Sequence, residues 1–93
     1  MWRDKLREHG YEARRGCQNA GGFDSPDVIC EDLNGYHFEV KFVEKLNVRN
    51  AMIQATADAL TKTPLVAHKT SNAKWLVTMD ADDFLNLVRA AQL

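Results

Sequence analysis

The chain lacks the features that would assign it at once to a membrane, secreted or strongly basic class. Its 93 residues include 12 lysines and arginines against 13 aspartates and glutamates, which gives a net charge of −1. A protein that binds nucleic acid through bulk charge carries a clear basic excess, so any such binding here must depend on a local patch. Neither a secretory signal pattern nor an apolar run long enough to cross a bilayer is present.

Cysteine is scarce, and its placement argues against a zinc site. Cys17 and Cys30 are thirteen positions apart, and neither belongs to a CxxC pair that a histidine could complete. We interpret both as reduced thiols of a cytoplasmic protein. No repeat, linker or low-complexity segment divides the chain, so residues 1–93 are expected to form one domain with a single core.

The first third of the chain predicts a helix and two strands separated by a turn-rich loop. Residues 2–9 have the apolar spacing of a short helix, and Gly10 stands where a C-terminal cap is expected. Residues 11–14 are expected to form a short strand, whereas 16–26 are rich in glycine, asparagine and other turn-forming residues. Residues 28–33 return to a strand pattern.

The next stretch, 36–42, alternates strictly between apolar and polar residues, which predicts a strand with one buried face. The apolar face carries Tyr36, Phe38, Val40 and Phe42. The opposite face carries His37, Glu39 and Lys41. Asn34-Gly35 is typical of a two-residue hairpin turn, so we expect 28–33 and 36–42 to pair as antiparallel strands.

The remainder predicts a helix, two strands and a final helix. Asn47 is suited to cap a helix that runs to about Leu60, and short apolar strands follow at 64–68 and 74–78. Asp80 is expected to cap the last helix. The apolar positions of that helix are Phe84, Leu87, Val88 and Ala91. The order αβββαββα favours an α/β fold with helices on both sides of a central mixed sheet.

Two acidic residues and a lysine are expected to meet at the hairpin. In an antiparallel pair, Asp27 lies opposite the end of the strand that carries Glu39 and Lys41. Carboxylate oxygens suit Mg²⁺ or Mn²⁺, and the Val40 carbonyl is a further candidate ligand. Lys41 is placed to orient or deprotonate an attacking water and to neutralise charge on a phosphate. Metal-assisted phosphodiester hydrolysis requires such a set.

In these motifs the chain resembles the PD-(D/E)xK nuclease superfamily, and within it the small Holliday-junction resolvases and related phage-type endonucleases. The two halves of the superfamily signature are Ser25-Pro26-Asp27 and Glu39-Val40-Lys41. The segment Gly10-Tyr11-Glu12-Ala13-Arg14, the loop at 16–25 and Gln54 follow the resolvase pattern in order. The resemblance covers nearly the whole chain and implies a restriction-endonuclease-like fold.

The resemblance also implies roles for individual residues. Asp27 and Glu39 would be metal ligands, Lys41 the catalytic lysine, and Gln54 a helix residue that reaches the site. Mg²⁺ is the implied cofactor, and Mn²⁺ is expected to substitute for it. The implied partners are branched DNA and a second copy of the chain, since a four-way junction has symmetry that a homodimer matches.

One position departs from the resolvase pattern. Such proteins usually carry an acidic residue on the first helix, at a place that falls before Met1 in this sequence. Asp4 and Glu8 stand too near Gly10 to match it. We therefore expect either that the first helix is truncated or divergent at its start, or that the site uses two carboxylates.

Basic and amide side chains near the loop are candidates for contacts with the DNA backbone. They are Arg14, Arg15, Gln18, Asn19, Lys45 and Lys69, with Arg49 in addition. Each of them is equally well explained as solvated surface. His37 shares the face of Glu39 but is interpreted as incidental, and Trp2 and Trp75 are interpreted as core or dimer contacts.

Three functions remain open from the sequence. The first is a metal-dependent endonuclease that cuts branched DNA as a homodimer. The second is a repair or replication nuclease that acts on flaps, nicks or ends. The third is a DNA-binding or assembly module that has the nuclease fold without turnover.

Overall fold

A computed structural model describes residues 1–15 and 28–92, which contain three helices and five strands. The helices are α1 (Trp2–Glu8), α2 (Val48–Ala59) and α3 (Ala81–Ala91), and the strands are β1 (Ala13–Arg15), β2 (Val28–Cys30), β3 (Tyr36–Phe42), β4 (Thr63–Lys69) and β5 (Leu76–Met79). The predicted order αβββαββα is confirmed, and a short 3-10 helix, Glu31–Leu33, is added to it. Each helix in the described ranges is too short or too polar to cross a membrane.

The central sheet has three strands in the order β3-β4-β5. β4 is parallel to β3, with Glu39 opposite Val66, and antiparallel to β5. Because parallel neighbours need a crossover connection, the chain passes through α2 between β3 and β4. β1 and β2 form a separate antiparallel pair. The prediction of a mixed sheet flanked by helices is confirmed.

The predicted hairpin across Asn34-Gly35 is wrong. The strand that begins at Val28 ends at Cys30, and in the described residues β2 pairs with β1 while β3 pairs with β4. The tightest hairpin turns need a positive φ, but Asn34 has helical angles, φ −61° and ψ −22°, because it ends the 3-10 helix. The Gly35 carbonyl then accepts a hydrogen bond of 2.9 Å from the Thr63 N–H, which directs β3 alongside β4.

The ends of the helices follow the predicted capping residues. The Asn47 side chain accepts a hydrogen bond from the Asn50 N–H at 3.0 Å, and the Asp80 side chain accepts one from the Asp82 N–H at 2.9 Å. Both bonds satisfy N–H groups that have no partner within the helix. Gly10, just beyond α1, has a φ of +86°, a conformation that glycine adopts without steric cost.

The larger core lies on the side of the sheet covered by α1. Trp2 and Leu6 are buried, and the Trp2 ring centroid lies 5.6 Å from that of Phe38 and 5.5 Å from that of Trp75. The interpretation of Trp2 as a core residue is therefore confirmed, and Trp75 packs against the same cluster. The cluster is completed by Ala13, Val28, Cys30, Leu65 and Ala67. The Cys30 thiol is buried and free.

The smaller core lies on the other side of the sheet and is made by a row of alanines on α2. Ala51, Ala55 and Ala59 are all buried, and Ala55 packs with Val66 of β4. Since alanine has no side chain beyond Cβ, this row lets the helix backbone come close to the sheet. Helices thus cover both sides of the sheet, as the sequence predicts.

Two predicted apolar faces are less buried than expected. Phe42 is 59% exposed, because it is the last residue of β3 and lies beyond the core that holds Phe38. No described residue of α3 is buried, and Phe84 and Leu87 of its apolar face are 51% and 43% exposed. α3 follows β5, the edge strand of the sheet, and its apolar face is left uncovered by the described residues.

Candidate active site

The polar face of β3 is sheltered by α2. Because side chains alternate along a strand, His37, Glu39 and Lys41 project to the side opposite the larger core. Their side chains are 9%, 12% and 29% exposed, respectively. Burial of charged groups is costly unless they are paired, so this row of residues requires partners. Two of those partners come from α2.

Glu39, Lys41 and Gln54 meet on this face. The Lys41 ammonium nitrogen, Nζ, lies 3.5 Å from Glu39 Oε1 and donates a hydrogen bond of 3.3 Å to Gln54 Oε1. The structure thus brings together three of the residues that the sequence selects. Val40 lies between Glu39 and Lys41 in β3, opposite Ala67, and its side chain packs against the larger core.

Other predicted site residues lie outside the described ranges. Asp27, the predicted partner of Glu39, is one of them, and so are Gln18 and Asn19 of the turn-rich loop. Their predicted roles stay predictions. The expected approach of Asp27 to Glu39 depends on a hairpin between β2 and β3. The observed pairs are instead β1 with β2 and β3 with β4.

Two residues outside the predicted set of site residues lie beside Glu39. His37 Nε2 is 3.7 Å from Glu39 Oε2, and Asp58 of α2 offers a carboxylate oxygen within 4.8 Å of both groups. A signal for Asp58 was present, since it stands four residues after Gln54 and therefore on the same side of α2, one turn later. In the sequence, His37 shares the predicted face of Glu39 and is interpreted as incidental to the site.

The donors on this face fit a divalent cation. Glu39 and Asp58 supply carboxylate oxygens, which hard cations such as Mg²⁺ prefer, and His37 supplies an imidazole nitrogen. His37 Nε2 is buried and has no hydrogen-bond partner among the described residues. A buried polar atom without a partner is an unusual feature of a folded protein and is consistent with a ligand that completes the site.

The candidate DNA contacts fall at two places. Arg14 and Arg15 lie on β1, in the two-stranded sheet, and the exposed Arg14 pairs with Glu31 at 3.2 Å. Lys69 ends β4 directly beside Phe42, and its ammonium lies 5.3 Å from the centre of the Phe42 ring. Lys69 therefore lies one position beyond Lys41 along the paired strands but on the opposite face of the sheet, the face of Phe42, whereas the arginines belong to the other sheet.

The loop after β3, which carries the exposed Lys45, is tied to the turn between β4 and β5. Ser71 donates its backbone N–H to Glu44 Oε1 at 3.2 Å. Hydrogen bonds from Ser71, first from its side chain and then from its backbone, hold the pKa of Glu44 below its usual value, and the charge of Lys69 contributes less. This contact connects the end of β3 to the end of β4.

Comparison with known proteins identifies a structural neighbour but no sequence relative. No protein-family model matches the chain, and no curated protein matches its sequence. The structure is similar to that of Hjc, a Holliday junction resolvase from the hyperthermophilic archaeon Archaeoglobus fulgidus, with a TM-score of 0.59 and 21% identity over 84% of this chain and 70% of Hjc. At this identity the similarity shows the fold, which is the predicted restriction-endonuclease-like α/β fold.

Proposed function

We propose that the protein is a metal-dependent endonuclease that hydrolyses phosphodiester bonds in DNA, with branched DNA as its preferred substrate. The observation that carries the proposal is the placement of Lys41, 3.5 Å from Glu39 and 3.3 Å from Gln54, on the sheltered face of β3. Its fold, shared with a protein named as a Holliday junction resolvase, supports branched DNA as the substrate class.

Each of the three contacting residues has a chemical part in the proposed reaction. The Lys41 ammonium stabilises negative charge that develops on the phosphate, and a sheltered position strengthens that interaction. Glu39 holds the Lys41 ammonium beside the strand, since opposite charges at this distance attract. Gln54 accepts a hydrogen bond from Lys41 and so limits the orientations that its flexible side chain adopts.

A divalent cation completes the proposed chemistry. Bound Mg²⁺, or Mn²⁺ in its place, would supply charge neutralisation at the phosphate and a more acidic water. Asp27, Glu39 and the Val40 carbonyl are the proposed ligands. The Glu39 side chain is 12% exposed, so it is largely but not completely shielded from solvent.

DNA binding would depend on local basic residues, because the net charge of the chain is −1. Arg15, Lys45 and Lys69 are proposed to contact phosphates, together with Arg14, Gln18 and Asn19. The exposed ion pair between Arg14 and Glu31 contributes little stability, so Arg14 can exchange it for a phosphate. The slope of log affinity against log salt would report how many phosphates are engaged.

A homodimer is the proposed active form. A two-fold symmetric pair of sites would place one cut on each of two strands of a four-way junction. The uncovered apolar residues of α3, Phe84, Leu85 and Leu87, support a second copy of the chain as the partner for this face. Burial of such residues is the main favourable contribution to association.

A cleavage assay with three substrates tests the proposal. Labelled four-way junction, linear duplex and single strand are incubated with the protein in Mg²⁺ and then in Mn²⁺. We expect paired nicks confined to the junction. Lys41→Ala should lower the cleavage rate roughly 10²-fold or more, because it removes a charge that acts on the transition state. Lys74→Ala, which removes an exposed lysine outside the site, is the matched control and should cut like the parent.

The other outcomes separate the alternatives. Equal cutting of all three substrates would favour a general repair or replication nuclease. Binding to DNA without cleavage in either metal would favour a module that has the fold without turnover. A Lys41→Ala protein that is folded by circular dichroism and cuts as fast as the parent would show that the assignment of the site is wrong.

A further inference from the structure

His37 is the feature of the site that the proposed nuclease chemistry leaves unused. Its side chain is 9% exposed, and its Nε2 atom is buried without a hydrogen-bond partner among the described residues. Its distance to the carboxylate oxygen Glu39 Oε2 is 3.7 Å, which is longer than a hydrogen bond. The imidazole nitrogen thus points at a carboxylate but stops short of direct contact with it.

A second carboxylate lies at the same place. Asp58 is half-buried on α2, and one of its oxygens, one Glu39 oxygen and a His37 ring nitrogen form a group whose atoms lie within 4.8 Å of one another. No described residue forms an ion pair with Asp58. Lys41 approaches Glu39 through the other oxygen, Oε1, so it leaves Oε2 available to this group.

We propose that His37, Glu39 and Asp58 form a site for divalent transition-metal ions such as Zn²⁺ and Co²⁺, with a ligand set that differs from the one proposed for Mg²⁺. Imidazole is a preferred ligand of these ions, whereas Mg²⁺ favours oxygen donors and retains several waters. Two carboxylates and a neutral imidazole also match the charge of a dication. Glu39 then contributes one oxygen to each position.

The spacing of the donors suits this ion. Bonds of about 2 Å from nitrogen and oxygen to such a metal allow two of its ligands to lie up to about 4 Å apart. The 3.7 Å between His37 Nε2 and Glu39 Oε2 falls within that limit. The oxygen of the half-buried Asp58 lies within 4.8 Å of the other two donor atoms, so a small movement of this side chain would close the third bond. Water completes the coordination.

Metal binding tests this inference without any assay of DNA cleavage, so it stands or falls independently of the proposed function. Chelator-treated protein is titrated calorimetrically with Zn²⁺, Mn²⁺ and Mg²⁺, and with Co²⁺ followed by visible absorption. His37→Phe keeps a ring in the buried space, and Asp58→Asn keeps the shape of the side chain. His9→Ala and Asp83→Asn remove the same residue types outside the group and serve as controls.

We expect the parent to bind Zn²⁺ at this site and to develop the visible absorption of ligated Co²⁺. His37→Phe and Asp58→Asn should each weaken the affinity for Zn²⁺ roughly tenfold or more, while the two controls stay close to the parent. His37→Phe should leave the affinity for Mg²⁺ unchanged. A residue with a purely structural role would not separate the metals in this way.

Two results would overturn the inference. The first is a parent protein that binds neither Zn²⁺ nor Co²⁺, and the second is a His37→Phe variant that binds both as tightly as the parent. In either case the 3.7 Å approach of His37 to Glu39 would be a contact between two side chains without a metal. Should His37→Phe fail to fold, Asp58→Asn decides the question, because Asp58 lies at the half-exposed edge of the group.

Discussion

The close approach of α2 to the sheet makes a sharp prediction for Ala55→Leu. Ala55 is 0% exposed and packs with Val66, which is also 0% exposed. A leucine adds three carbon atoms at a place with no free space, so either the helix moves outward or side chains leave their preferred rotamers. Insertions of this kind cost about 1–3 kcal/mol. The total free energy of unfolding of a domain is about 5–15 kcal/mol, so the change is large enough to measure.

Urea unfolding gives the free energy of unfolding for this comparison. We expect the midpoint of Ala55→Leu to fall while the slope with denaturant stays that of the parent, which indicates a change of stability alone. Thr56→Leu is the matched control, since it introduces the same side chain at the next position, on the exposed side of α2. Its effect should stay within about 0.5 kcal/mol, as is usual for surface substitutions.

The same substitution should disturb the site. Gln54 and Asp58 flank Ala55 on α2, so an outward shift of the helix separates them from Lys41 and Glu39. DNA cleavage and transition-metal affinity should fall together in Ala55→Leu and stay unchanged in Thr56→Leu. A folded Ala55→Leu protein with parental stability would refute the reasoning, because it would mean that α2 does not pack closely on the sheet.

Two further predictions concern the surface. Leu85 is 60% exposed on α3, and we expect light scattering to give the mass of a dimer for the parent and of a monomer for Leu85→Glu; a dimer that survives the substitution would place the interface elsewhere. The lowered pKa of Glu44 stabilises the fold above the usual glutamate pKa, and this contribution is lost as the pH falls through the lowered value. Ser71→Ala should move the pKa of Glu44 upward in an NMR titration, and an unchanged value would contradict the assigned cause.

The parts of the fold that the sequence predicts best are those set by local patterns. The alternation from Tyr36 to Phe42 gives β3 with its observed bounds, because a period of two has no other regular structure that buries one face. Asn47 and Asp80 cap the helices that follow them, because their short side chains reach the first free N–H groups. These features depend on residues close together in the chain.

The hairpin prediction was wrong because the turn signal at Asn34-Gly35 competes with the helical turn that precedes it. Asn34-Gly35 is a strong hairpin signal, but the preceding residues, Glu31–Leu33, form a 3-10 helix whose last turn fixes Asn34 at a negative φ. β3 then pairs along its whole length with β4, a strand that lies beyond α2 in the chain. Pairing between strands so far apart in the sequence depends on tertiary packing, which a two-residue motif does not predict.

In the candidate site too, the sequence predicts local features but not contacts between distant parts of the chain. Glu39 and Lys41 are two residues apart on one strand, so their shared face follows from the sequence alone. His37 is on that face too, but its burial depends on α2, and Asp58 reaches the group only because the alanine row brings the helix close. The sequence therefore predicts which residues share a face of one strand, whereas the contacts between β3 and α2 are seen only in the structure.

Glu39 connects the two proposals, and its two oxygens make them separable. Oε1 faces Lys41 at 3.5 Å and Oε2 faces His37 at 3.7 Å, so the same carboxylate has an ammonium group on one side and an imidazole on the other. Loss of Lys41 should therefore reduce cleavage and leave transition-metal binding intact, while loss of His37 should remove that binding and leave the contact between Lys41 and Gln54. Of the three residues on this face of β3, only Glu39 should impair both when it is lost, because each arrangement requires it.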